Sequence, residues 1–379
     1  MMPAEDAIAT FDGRVWDTKD ALRVRTPVLI DSGASFMGYR ESLQDSATRA
    51  VDAIAAITRR FGVGAVIDAG SSFEAIYRAR VVCPDLRIVM GGPTLTDEEP
   101  RSESERQIPD AAALARSVAA FACEATQLVS VRTADAALVR SVRAHTELPI
   151  LLRTSRISPT DFADLPKIAL VGAHHVIGLL PQGADILSAI GGLSDGDVIQ
   201  RARATAESGV ALLTGMLALR RSILPREAIE SSHIEELIPI YPHARHLVEM
   251  RRFGGYLAGR QQLATKAGLK EPSPTQRRLI ERGWQLLLTA IAAFADAGGI
   301  LLPASLSPGI GIVPGFALKE EATLLSHLLS TQRVLTAVTT TAGNFFDVHP
   351  NGELTADVES VDDADLILRL RPASLLHQN

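Results

Sequence analysis

The strongest constraint on this chain is a regular alternation of short aliphatic or β-branched runs with longer stretches of helical periodicity. Eight runs read as strands: 28–31, 64–68, 86–90, 128–132, 150–153, 168–171, 210–214 and 300–304. Amphipathic helices fill the intervals. They are clearest over 46–60, where Ala50, Ile54 and Ile57 recur on one face, and over 276–297. A strand followed by a helical crossover and another strand builds a parallel sheet, and about eight such units make an α/β, TIM-like (β/α)8 barrel. The interval from Leu217 to Gly298 holds more helix than one crossover needs. It is expected to form a helical insertion near the barrel mouth, where a lid would sit.

Composition narrows the function classes. At 379 residues and 46% hydrophobic, the chain can bury a core of barrel size as one large domain. A net charge of -6 with scattered Arg, Asp and Glu gives no basic stripe, so nucleic acid is not an expected partner. Cys83 and Cys123 stand far apart and lack a Cys-x-x-Cys spacing, so they read as small buried hydrophobes. Residues 1–17 carry Glu5, Asp6 and Asp12 around no apolar core of signal-peptide length, and no run reaches transmembrane length. The expectation is a cytoplasmic protein that does not engage membranes.

The run Thr26-Pro27-Val28-Leu29-Ile30-Asp31-Ser32-Gly33-Ala34-Ser35 resembles the first barrel strand of the amidohydrolase superfamily, which reads Pro-Gly-Leu-Ile-Asp, one residue, then His-x-His. Phe61-Gly62-Val63 leading to Val66-Ile67-Asp68-Ala69-Gly70 is similar to the second strand of that superfamily. Four later pieces look like the closing segment of its imidazolonepropionase-like members. They are Pro314-Gly315-Phe316-Ala317-Leu318-Lys319-Glu320-Glu321, then Val334-Leu335-Thr336-Ala337-Val338-Thr339, then Phe345-Phe346-Asp347, and then Asp363-Ala364-Asp365-Leu366-Ile367-Leu368. The resemblance runs from about Thr26 to Leu370. It implies a barrel over 27–346, with the insertion around 217–298, and a small, reduced β-domain built from 1–26 and 347–379.

The same resemblance implies metal-dependent hydrolysis, but the ligand positions do not follow. The two histidines of the first strand are replaced by Gly33 and Ser35. A bridging lysine in the fourth strand aligns with Ser130, or with Arg132 after a two-residue shift. The fifth-strand histidine aligns with Arg153, a permanent cation that repels metal ions. The sixth-strand histidine aligns with Gly178, although a small shift brings in His174 or His175. The eighth-strand aspartate aligns with Ser305. A metal lowers the pKa of bound water from about 15.7 to about 7, roughly 12 kcal/mol of hydroxide stabilisation, whereas a positioned base alone supplies about 3 to 5 kcal/mol. The expectation is therefore a protein without zinc or another cofactor.

What remains at the carboxyl ends of the strands is polar: Asp31 and Ser35 after strand one, Asp68 after strand two, Arg153, then His174 and His175, and Ser305. These are expected to converge. Arg153 would bind a carboxylate or oxyanion, one histidine would act as acid or base, and Asp31 and Asp68 would share the catalytic site. Ser35, Ser130 and Ser305 would line the substrate. The competing readings are an internal ion pair of Arg153 with Asp31 or Asp68, and serines that only fill space. Because adjacent strand residues point to opposite faces, at most one of the two histidines would enter the barrel. The glycine-rich loop 307–315 lacks a Lys-Ser/Thr ending and is no phosphate loop. His243 and His246 read as surface residues, and Glu320 and Glu321 as acids at the positive end of their own helix.

Three functions fit these residues. One is a metal-independent enzyme of hydrolase, lyase or cyclase type acting on a small polar or acidic molecule; another is a non-catalytic ligand-binding or scaffold relative. A metal-dependent C–N hydrolase with unusual ligands is the third. The expected partner is a small-molecule substrate or ligand, with a homodimer as the expected assembly. An open mouth with convergent polar groups favours the enzyme, and a mouth plugged by side chains favours the scaffold.

Overall fold

The computed structural model describes residues 8–17, 23–34, 36, 47–68, 71–91, 93–100, 105–110, 113–114, 116–118, 126–154, 158–178, 186–223, 273–307 and 312–373. Ser35, Cys123, His243, His246 and the centre of the expected insertion lie outside these residues.

The described strands are β1 (Ile8–Thr10), β2 (Arg23–Pro27), β3 (Leu29–Ala34), β4 (Val63–Asp68), β5 (Arg87–Met90), β6 (Thr94–Thr96), β7 (Glu105–Gln107), β8 (Val129–Arg132), β9 (Ile150–Arg153), β10 (Ile168–Val171), β11 (Ala211–Leu213), β12 (Leu301–Leu302), β13 (Glu353–Asp357) and β14 (Arg371–Pro372). The principal helices are α1 (Ala47–Arg60), α2 (Phe73–Val82), α3 (Ala136–His145), α4 (Ile186–Gly191), α5 (Asp195–Glu207), α6 (Met216–Ile223), α7 (Pro274–Asp296), α8 (Phe316–Ser326), α9 (Thr331–Thr336) and α10 (Ala342–Phe346). All eight strands read from the sequence are present as β3, β4, β5, β8, β9, β10, β11 and β12. The first runs on to Ala34, three residues further than its aliphatic run suggests.

Strands β12, β11, β10, β9, β8, β6 and β7 form one parallel sheet, and β3, β4 and β5 another. The two sheets communicate on both sides. β5 pairs with β4, and after a break between Met90 and Thr94 the chain resumes as β6 beside β8. On the other side Ser32 donates its N–H to the Pro303 carbonyl at 3.1 Å, and Leu306 donates to the Gly33 carbonyl at 2.8 Å. This mixed α/β arrangement fits a TIM-like barrel. Alternation sorts the strand residues into two layers. Ile30, Ala65, Ile67, Leu151, Ala169, Ala211 and Leu213 pack with one another inside, whereas Leu29, Val66, Ile150, Leu152 and Leu212 pack against the helices. Phe346 and Val348 join the inner cluster.

A separate four-stranded sheet joins both ends of the chain in the order β1-β2-β13-β14. Its β2–β13 pairing is antiparallel, from Glu353 opposite Pro27 to Asp357 opposite Arg23. Of the expected insertion, α6 and α7 are described. α7 starts two residues before the periodicity suggests, because Ser273 and Gln276 form a capping box and Pro274 occupies the first turn, where its missing N–H costs nothing. Among the described residues no helix is long and apolar enough to cross a membrane.

Candidate functional site

The contacts of the expected residues sort them into three groups. Asp31 follows Ile30, an interior residue, and so falls on the alternate face of β3. Its Oδ1 accepts the Ser305 N–H at 2.9 Å and the Gly33 N–H at 3.3 Å, while Oδ2 has no hydrogen-bond partner among the described residues. Burial raises its pKa from 3.8 to about 6 against the opposing pull of the Ser305 and Gly33 bonds. Its charge in turn raises the pKa of Glu321 of α8. Ser305 is buried, and its hydroxyl donates to Ser307 Oγ at 2.8 Å.

Glu321 corrects the reading of an acid serving the positive end of its own helix. It is the sixth residue of α8, fully buried, and its carboxylate accepts the N–H groups of Met216 at 2.9 Å and Leu217 at 2.6 Å, together with the Thr214 hydroxyl. It does serve a helix amino terminus, but that of α6, 105 residues earlier in the chain. Burial lifts its pKa from 4.5 to about 7. Nothing local in the sequence signals this contact.

The second group lies across β4, β8 and β9. Asp68 is buried and accepts the Ser71 hydroxyl at 2.6 Å, the Ser71 N–H at 2.7 Å and the Phe36 N–H at 3.3 Å. Arg153 ends β9 with solvent-accessible surface, yet desolvation pulls its pKa down while the Glu105 and Asp68 carboxylates pull it up. Of the two acids considered for Arg153, its field is therefore shared with Asp68, together with Glu105, which sequence reading did not find. Beside it Arg132 is almost fully buried. It grips Glu105 through Nε–Oε1 at 2.9 Å and Nη2–Oε2 at 2.8 Å, and also contacts Glu98 and the Glu99 carbonyl. Ser130 is buried too, its Oγ accepting from Thr94 at 3.1 Å across the β6–β8 pair.

The third group is the histidine pair. They do not sit on a strand: Gly172 takes φ +125°, ends β10, and starts a 3-10 helix over Ala173–Ile177. The rings lie face-near at a centroid distance of 4.1 Å, instead of pointing to opposite sides of a sheet. A Cβ on Gly172 would lie 2.7 Å from His174 Cε1, so the glycine also makes room for the ring. Burial lowers the His174 pKa to about 4 and pushes His175 well below 6.5, with the neighbouring ring adding to the latter. Both are neutral imidazoles at neutral pH, able to accept or donate a hydrogen bond but holding no proton to give as cations.

Around Gly33 there is no free volume. A Cβ there would meet Leu213 Cδ2 at 2.9 Å, Ala304 Cβ at 3.1 Å and Leu306 Cδ2 at 3.4 Å. Leu306 holds this place from a left-handed backbone, φ +50°. Among the described residues no group of three His, Cys, Asp or Glu side chains is placed to hold a metal ion.

Comparison with solved structures places this arrangement among known folds. The chain matches the bottromycin amidohydrolase with a TM-score of 0.65 at 15% identity, over 96% of this chain and 83% of that one. The chain has the amidohydrolase fold. A putative prolidase from Bifidobacterium longum shares this fold at a TM-score of 0.58 and 13% identity, over 93% and 79% of the two chains. The ochratoxinase of A. niger does so at 0.57 and 10%, over 92% and 81%. No family matches the chain by sequence, and no curated protein does.

Proposed function

We propose that the protein is a metal-independent enzyme on a closed (β/α)8 amidohydrolase barrel, of hydrolase, lyase or cyclase type, acting on a small polar or acidic molecule. Closure is supported by the Ser32–Pro303 and Leu306–Gly33 hydrogen bonds on one side and by the passage from β5 to β6 on the other.

The observation that carries the reading is Arg153, which keeps solvent-accessible surface at the end of β9 and shares its field with Asp68 and Glu105. Such a group binds a carboxylate or stabilises an oxyanion, and Asp68 supplies a carboxylate close to it. His174, half-buried and neutral, is available to accept a hydrogen bond or a proton from a bound molecule. The donor set supports metal independence. The first ligand position, Gly33, has apolar atoms where a histidine side chain would begin, the fifth is a cation, and the eighth is a buried serine whose amide serves Asp31.

The test is hydrolysis of N-acyl amino acids and dipeptides followed by mass spectrometry, with chelator present. The reading expects turnover that survives chelation and falls about 10²- to 10⁴-fold in Arg153→Met. Turnover lost on chelation and regained with zinc sinks it. A second reading, a ligand-binding scaffold, is favoured by one observation: Leu213, Ala304 and Leu306 fill the interior beside Gly33. Saturable binding of these compounds without turnover would favour it.

A further inference from the structure

A cavity of about 480 Å³ opens on the opposite face of the protein from Asp31, Asp68 and Arg153. It lies where β5 begins and just before β8, and residues 347–349 form another part of its lining. This is the amino-terminal face of the strands, where barrel enzymes do not place their chemistry. Its size falls within the ~300–1,000 Å³ usual for small-molecule sites.

Its chemistry is divided. Leu86, Val89 and Val348 are buried apolar residues, whereas Arg87 and Asp347 are exposed and Arg80 is half-buried. One Arg80 Nη2 is spent on the Ile88 carbonyl at 2.8 Å. No ion pair among the described residues joins either arginine to Asp347, so one cavity holds cations and an anion that do not neutralise each other. Asp347 is also an unfavourable choice for its position. It takes φ +53°, ψ +49° at the carboxyl end of the helical run 331–346, where glycine or asparagine is usual and a carboxylate faces the negative end of the helix. A ligand ammonium would offset that charge.

We propose that this cavity is a second binding site, for a zwitterion with an apolar body: a free α-amino acid or short peptide. Its carboxylate engages Arg80 and Arg87, its ammonium faces Asp347, and its side chain rests on Leu86, Val89 and Val348. The site is separate from the mouth, and its occupancy does not depend on the chemistry proposed there.

Isothermal titration calorimetry of the full chain with L-leucine, N-acetyl-L-leucine, L-leucinamide and inorganic phosphate tests it. The expected result is saturable binding of leucine, about tenfold or more weaker for each blocked derivative, and no comparable binding of phosphate. Arg87→Gln and Asp347→Asn each weaken leucine binding about tenfold or more. Both substitutions spare the fold, since Arg87 is exposed and asparagine accepts the left-handed backbone. Arg153→Ala leaves leucine binding unchanged. The proposal is overturned if leucine does not bind, if phosphate binds as tightly, if binding survives both Arg87→Gln and Asp347→Asn, or if it is lost in Arg153→Ala.

Discussion

The Ser305 amide donates to Asp31 Oδ1 at 2.9 Å, joining the end of the eighth strand position to the first through a carboxylate that no solvent reaches. In a metal-dependent relative the resemblance assigns this eighth position to an aspartate; here the backbone of Ser305 serves the carboxylate of Asp31 instead.

That burial has a pH signature. The folded-state values of Asp31, about 6, and Glu321, about 7, lie above their ordinary 3.8 and 4.5. The folded protein thus holds more protons than the unfolded chain between those values, and stability falls as pH rises from about 4 to about 7. Each carboxyl contributes on the order of 3 kcal/mol to that loss. Denaturant melts across this range should show the slope, and Asp31→Asn should remove its share. An unchanged slope in Asp31→Asn refutes the assignment.

Lys319 gives the opposite sign. It is buried in α8, donates to the Leu370 carbonyl, and burial lowers its pKa from 10.5 to about 7, with Arg371 adding to the effect. The folded protein holds fewer protons than the unfolded chain, so stability rises with pH between about 7 and 10. Lys319→Met should flatten the profile there.

Restoring the superfamily's histidine at position 33 should destabilise the protein. Leu213 Cδ2 and Ala304 Cβ stand 2.9 and 3.1 Å from where the Cβ would go. Overpacking of this kind costs about 1–3 kcal/mol, and Gly33→His should melt several degrees lower without gaining a zinc-dependent increase in melting temperature. A zinc-stabilised Gly33→His protein contradicts the geometry.

The Arg132–Glu105 pair, with side chains only 8% and 12% exposed, should be costly to break. Removing one partner of a buried pair costs about 3–5 kcal/mol; because Glu98 remains on Arg132, Glu105→Ala should lose about 2–3 kcal/mol. Chemical denaturation measures this directly, and a loss under about 0.5 kcal/mol would mean the pair is not held in solution.

All eight barrel strands were legible in the sequence because each is a short run of buried aliphatic residues, a local signal. So was the joining of the two chain ends in one sheet, through the resemblance. The site was less so. Arg153 and Asp68 do share a field, but Asp31 is held by the Ser305 amide and raises the pKa of Glu321, and the contact of Glu321 with Met216 spans 105 residues that no local pattern connects. The strand alternation expected for His174 and His175 fails because Gly172 turns the chain at a positive φ, and the glycine directly after Val171 is the signal that the sequence carries.

The most direct measurement is the metal content of the purified protein by elemental analysis, before and after incubation with zinc and after chelation, read together with thermal melts. Metal independence predicts no bound metal and no shift in melting on either treatment, since a ligand held by the native state would raise its stability. Near-stoichiometric metal, with a melting temperature that falls on chelation and recovers with zinc, would contradict it.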